Sequence, residues 1–183
     1  MQRTLDDLIL NNEDYFFDGD LTIKGNFKVI NGIIRVTGNL FLQGIVEEGW
    51  AGETANCIIK GNIIANSFKC LHHQIYCAGN IVIAEDIDVC HVICKGDIKV
   101  NGSCSAYNVT CRNYLISGNN NSDDVTTIED ICILGYNYSG DLKAREIFIG
   151  DFTKFAPYSE NTIIAKKFEC KGPIRNCRGM IIG

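Results

Sequence analysis

The stretch 79-GNIVIAEDIDVCHVICKGDIKVNG-102 (Gly79–Gly102) carries its apolar residues in pairs. Ile81 with Ile83, Ile87 with Val89, Val92 with Cys94 and Ile98 with Val100 each enclose one outward position, and the pairs begin six, five and six residues apart. Alternation of this kind marks a strand with one buried face, and its regular interruption marks a strand that bends before it can lengthen. Three short strands therefore consume 17 residues before the pattern returns. Ile75–Cys77 falls on Val92–Cys94 and then on Val109–Cys111, and Gly79-Asn80-Ile81 falls on Gly96-Asp97-Ile98. A step of 18 residues carries Cys57–Ile59 onto Ile75–Cys77 and Gly61-Asn62-Ile63 onto Gly79-Asn80-Ile81.

A chain that regains register so often is a coil, and repeats this short bury their apolar side only by stacking. The pattern predicts an all-β, three-sided parallel β-solenoid (β-helix) with turns of 17 to 18 residues. Gly38-Asn39, Gly61-Asn62, Gly79-Asn80, Gly96-Asp97 and Gly140-Asp141 precede apolar pairs and read as corners, where Gly, Asn and Asp tolerate a left-handed backbone. The register reappears near the end: IIANSFKC at 63–70 matches IIAKKFEC at 163–170. Polar segments at 47–55, 118–127 and 136–139 break it and are expected to be inserted loops. Thr4 with Asp7 resembles a capping box, and Leu5, Leu8 and Ile9 share one helical face, so residues 4–12 are expected to form an N-terminal capping helix within a cap over 1–18. Residues 19–183 then make one solenoid domain.

The chain of 183 residues is 46% hydrophobic and has a formal charge of −5, which suits a soluble domain and lacks the Lys/Arg-rich stripe that would replace phosphate counterions. No nucleic acid is expected as a partner. The N-terminal stretch has Asp6 and Asp7 inside its short apolar patch, and no run approaches a membrane span; a cytoplasmic location without membrane contact is expected. In a reducing compartment the ten cysteines are expected as buried small apolar side chains or metal ligands, and the shared inward position of Cys77, Cys94 and Cys111 assigns those three to the core.

GDLTIKGN, GNLFLQG, GNIVIA, KGDIKVNG and SGDLKA follow a G-[DN]-φ-x-φ repeat that resembles bactofilins and related polymer-forming β-solenoids of bacteria. The resemblance spans roughly residues 19–183 and implies a right-handed coil that associates end to end, with no cofactor and no catalytic site. Hexapeptide acyltransferases also build three-sided coils, but their hexads put the small residue before the large aliphatic one. Here it follows, as in Ile63–Ala65, Ile98–Val100 and Leu142–Ala144.

No catalytic, cofactor-binding or metal-ligating set is expected. Cys70, His72, His73, Cys77, Cys90, His91 and Cys94 lie close in sequence, but Cys77, Cys94 and Cys111 share one inward position and no C-x-x-C pair exists. Carboxylate pairs such as Glu85-Asp86 and Asp123-Asp124 fall where solvated acids are expected. The candidate interface residues are the aromatics Trp50, Tyr107, Tyr114, Tyr136 and Tyr138, together with Met180 and Ile182 in an apolar pair expected to form an open edge. These features point to a non-enzymatic structural or protein-interaction scaffold that self-associates end to end or by edge pairing through its C-terminal edge. The alternative is an immunity or inhibitor protein that covers a basic toxin domain with its acidic surface.

Overall fold

A computed structural model describes residues 1–46, 55–155 and 161–183, with no side-chain placement for 55 and 70–73. Its described strands are all paired in parallel, and the described part contains no helix. Two ten-stranded sheets run the length of the molecule, beside a three-stranded and a two-stranded sheet. The fold is a parallel β-solenoid of about nine turns.

One column of the first large sheet shows the coil directly. Arg3 pairs with Leu21, Leu21 with Leu40, Leu40 with Ile63, Ile63 with Ile81, Ile81 with Ile98 and Ile98 with Tyr114. Tyr114 then pairs with Ile131, Ile131 with Ile147 and Ile147 with Phe168. Most steps are 16 to 19 residues; the two longer ones, 23 from Leu40 and 21 from Ile147, contain 47–54 and 156–160, which lie outside the described residues. Nine steps at a strand spacing of about 4.8 Å give a stack about 43 Å tall.

The apolar pairs of the opening stretch all point into this stack. Ile81, Ile83, Ile87, Val89, Val92, Cys94, Ile98 and Val100 are at most 3% exposed, and the core continues through all described turns. Parallel stacking places like on like, as where Cys77 lies against Cys94. Such columns remove each turn's apolar face from water only because a neighbouring turn lies above and below.

The corners work differently from the expectation. Left-handed backbone occurs at Asn12, Asn31, Asn161, Asn176 and Gly19, not at the corner glycines 38, 61, 79 and 96. Those glycines answer to crowding: a Cβ on Gly61 would stand 2.5 Å from the Gly38 carbonyl oxygen, and one on Gly79 2.6 Å from that of Gly61. The residue after each glycine binds the next turn. Asn39 Oδ1 accepts from Asn62 N–H (2.9 Å), Asn62 Oδ1 from Asn80 N–H (2.8 Å) and Asn80 Oδ1 from Asp97 N–H (2.9 Å). The G-[DN] signature thus records close backbone approach followed by a side-chain acceptor aimed toward the C-terminal end.

Three further expectations are corrected. The capping helix is absent: Gln2–Leu5 and Leu8–Asn11 are strands, paired with Asp20–Ile23 and Phe27–Ile30. Leu8 and Leu10 are buried and Ile9 is 59% exposed, which is period two, not the helical grouping of Leu5, Leu8 and Ile9. Nor is 118–127 a loop, since it contains the strand Asp124–Thr127 and its turn takes the ordinary 17 residues from Tyr114 to Ile131. Likewise 136–139 holds the strand Asn137–Ser139, paired with Thr153–Phe155.

Those two segments hid their register because their inward residues are polar. Asn120, Ser122, Asn137 and Ser139 are buried; Asn120, Asn137 and Ser139 bond in a chain, and Ser122 lies within reach of Tyr114 Oη (3.5 Å) and Cys104 Sγ (3.6 Å). Tyr114 Oη donates to Asn120 Oδ1 (2.7 Å), Asn120 Nδ2 to Asn137 Oδ1 (2.7 Å) and Asn137 Nδ2 to Ser139 Oγ (2.8 Å). A buried polar chain of this kind is tolerated because each member has a partner.

Candidate interface at the C-terminal end

The last turn consists of the strands Lys167–Cys170, Ile174–Arg175 and Gly179–Ile182, each the terminal strand of its sheet. Gly179–Ile182 pairs on one side with Thr162–Ala165, which sets Met180 on Ile163 and Ile182 on Ala165. Ile163 and Ala165 are inward and buried, so Met180 and Ile182 continue the inward columns. Ile174 does the same on Thr153. Nevertheless Ile174, Met180 and Ile182 are 39%, 42% and 51% exposed, against at most 5% for the three residues beneath them. Among the described residues these strands are paired on one side only, which is why their inward side chains are less buried than those beneath them.

A groove on the flank of this end adds to the surface. It encloses about 460 Å³ and has an apolar floor of Ile128, Ala144, Ile164 and Ile181 beside Lys143, Arg145 and Lys166. Arg145 is anchored by a two-pronged bond to Asp130 (3.1 and 2.9 Å). Hydrogen bonding and charge from Asp130 hold the guanidinium above its ordinary pKa, which fixes a positive charge at the rim.

The described surface residues nominated from the sequence separate into three groups. Met180 and Ile182 lie together at the end just described. Tyr107 is 59% exposed and leans on His91, with ring centres 6.2 Å apart, on the wall of a groove of about 300 Å³ that also contains Asp88, Ser105, Asn121 and Asp123. Tyr136 stacks on Phe152 (5.2 Å, 10°) and Tyr138 lies under Lys154 Nζ (5.7 Å), both half-buried on the outer surface. Tyr114 contradicts its nomination: it is a core residue, 1% exposed, with its hydroxyl in the interior polar chain. Trp50 lies outside the described residues.

Of the described cysteines, Cys57, Cys77, Cys94, Cys104 and Cys111 are buried, whereas Cys90, Cys132, Cys170 and Cys177 are half-buried. Cys77, Cys94 and Cys111 are buried, and the first two thiols donate to the carbonyls of Gly61 (3.3 Å) and Gly79 (3.1 Å). The hydrogen bond with Cys77, and burial after it, push the Cys94 thiol far above its ordinary pKa; burial does the same for Cys111 and raises Cys104 to about 11. Cys94, Cys104 and Cys111 therefore stay protonated at neutral pH, while the hydrogen bond with Cys94 shifts the Cys77 thiol the other way, below its ordinary pKa. Among the described residues, no three His, Cys, Asp or Glu side chains gather as a metal-holding group. The side chains of Cys70, His72 and His73 lie outside the described set.

No family model matches the chain, and no curated protein or solved structure is detectably similar to it. The functional reading therefore rests on the fold and on its end.

Proposed function

We propose that this protein is a non-enzymatic structural scaffold that self-associates through the turn ending in Gly179–Ile182. The observation that carries this reading is the contrast within single columns. Ile163 is fully buried and Met180, stacked on it, is 42% exposed; Ala165 is 5% exposed and Ile182, stacked on it, 51%. Covering Ile174, Met180 and Ile182 with another strand layer would repeat for each what every inner turn does for the turn beneath it, at about 25 cal/mol for each Å² of apolar surface removed from water. The bactofilin-like G-[DN]-φ-x-φ repeat agrees with this reading, and with it we propose a three-sided, right-handed coil. The exposed flank supports the same role: Ile164 and Ile181 stand outward on consecutive turns at 37% and 64%.

Ile182→Lys places a charge where a covering strand would lie while disturbing no packed neighbour above it. Light scattering after size-exclusion chromatography is expected to show a concentration-dependent rise in mass for the unmodified chain and a monomer for the variant. A variant with an unchanged size distribution would count against the reading.

A further inference from the structure

The two ends of the coil differ in charge as well as in exposure. In the first turn, Arg3 stands against Asp6, Asp7, Glu13, Asp14 and Asp18, a formal side-chain charge of −4 over residues 1–18. In the last turn, Lys166, Lys167, Lys171, Arg175 and Arg178 stand against Glu169, a formal +4 over residues 166–183. The whole chain is only −5, so this opposition belongs to the ends. The first turn also ends three of the four sheets, with Gln2–Leu5, Leu8–Asn11 and Tyr15–Phe17 each paired on one side only among the described residues.

We propose that the basic C-terminal turn of one copy receives the acidic N-terminal turn of a second copy, head to tail, as one more layer of the same parallel ladder. This rests on the reading that the C-terminal end self-associates, and it names the occupant. The coil's own register fixes the junction. The column from Arg3 ends at Phe168, and the column from Tyr15 runs through Ile34, Cys57, Ile75, Val92 and Val109 to Val125, Leu142, Ile163 and Met180.

Continuing both columns into the next copy sets Met180 on Tyr15, Ile182 on Phe17 and the outward Ile181 on Phe16, which is 66% exposed. The same register sets Lys171 on Asp6 and Arg178 on Glu13, all four exposed. Arg3 falls over Phe168, a guanidinium on an aromatic face. Apart from Arg3, which stands in the inward column of Leu21, apolar positions thus meet apolar ones, and both charge pairs have opposite sign. Each copy presents two different ends, so the contact is heterologous and does not close on itself. Ten strand layers per copy give an axial repeat of about 48 Å.

Two charge-reversed chains test the junction by sedimentation velocity: one carries Lys171→Glu with Arg178→Glu, the other Asp6→Lys with Glu13→Lys. The unmodified chain is expected to assemble at 50 mM NaCl and to lose most of its large species at 500 mM, because exposed pairs are screened at that ionic strength. Each reversed chain alone, with like charges at both contact pairs, is expected to sediment as a monomer. An equimolar mixture brings reversed ends together and is expected to regain the unmodified sedimentation profile, which also shows both variants folded. If Asp6→Lys with Glu13→Lys leaves assembly intact while Lys171→Glu with Arg178→Glu abolishes it, the head-to-tail junction is overturned and C-terminal self-pairing stands. If the mixture stays monomeric while the unmodified chain assembles, the junction is overturned as well. A monomeric unmodified chain at every concentration removes both readings.

Discussion

Ile59 and Ile182 are the same side chain in corresponding inward positions of one sheet, and they have opposite surroundings. Ile59 has Val36 on one side and Cys77 on the other and is 1% exposed; Ile182 has Ala165 on one side and is 51% exposed. Neither residue type nor strand position distinguishes them; the second neighbouring layer does. In a solenoid the burial of a residue is a property of the turns beside it.

The largest expected effect breaks that symmetry. Ile59→Ala removes buried methyl groups with little room to relax and is expected to cost about 2–5 kcal/mol of unfolding free energy in urea titration, as Ile→Ala does in packed cores. Ile182→Ala, measured in dilute monomer, is expected to stay within about 0.5 kcal/mol, the range of exposed substitutions. Equal losses at the two sites would mean that the last turn is packed as fully as the centre.

A smaller effect sharpens the comparison between apolar and polar interiors. Asn137→Ala removes the acceptor for Asn120 Nδ2 and the donor to Ser139 Oγ, and stranding the buried Asn120 Nδ2 costs about 1–3 kcal/mol. The loss should be visible as a lower urea midpoint, and an unchanged midpoint would mean that the polar chain does not hold these turns together.

The smallest effect concerns pH. Burial holds the Cys104 thiol protonated up to about 11, while the unfolded thiol ionises near its ordinary value of 9.0. Because the folded pKa is the higher, this contribution is complete below pH 9 and declines between pH 9 and about 11 as the unfolded state sheds its proton. Cys104→Ser is expected to make that decline shallower in urea titrations across this pH range, with Cys94 and Cys111 contributing the remainder.

The coil was legible because its inward positions in the centre are apolar: Ile75, Ile81, Ile87 and Val92 announce the period without help. It became illegible where the same positions are filled by Asn120, Ser122, Asn137 and Ser139, since polarity in sequence looks like a loop until the partners are brought face to face. Tyr114 was misplaced for the same reason, its hydroxyl being satisfied by Asn120 six residues on. At the N-terminus Leu8, Ile9 and Leu10 fit two periods over so short a run, and only pairing with Phe27–Ile30 selects the strand. Of the candidate site, Met180 and Ile182 were legible as an apolar pair. The opposed charges of the ends were also present in the sequence, but their meaning depends on knowing that residues 1–18 and 166–183 form the two terminal layers.

The central claim is that the last turn is completed by another copy, and sedimentation velocity of the unmodified chain across a hundredfold concentration range at low salt tests it most directly. The account predicts a series of species growing with concentration and retreating as salt is raised. A single monomeric boundary at every concentration would contradict it.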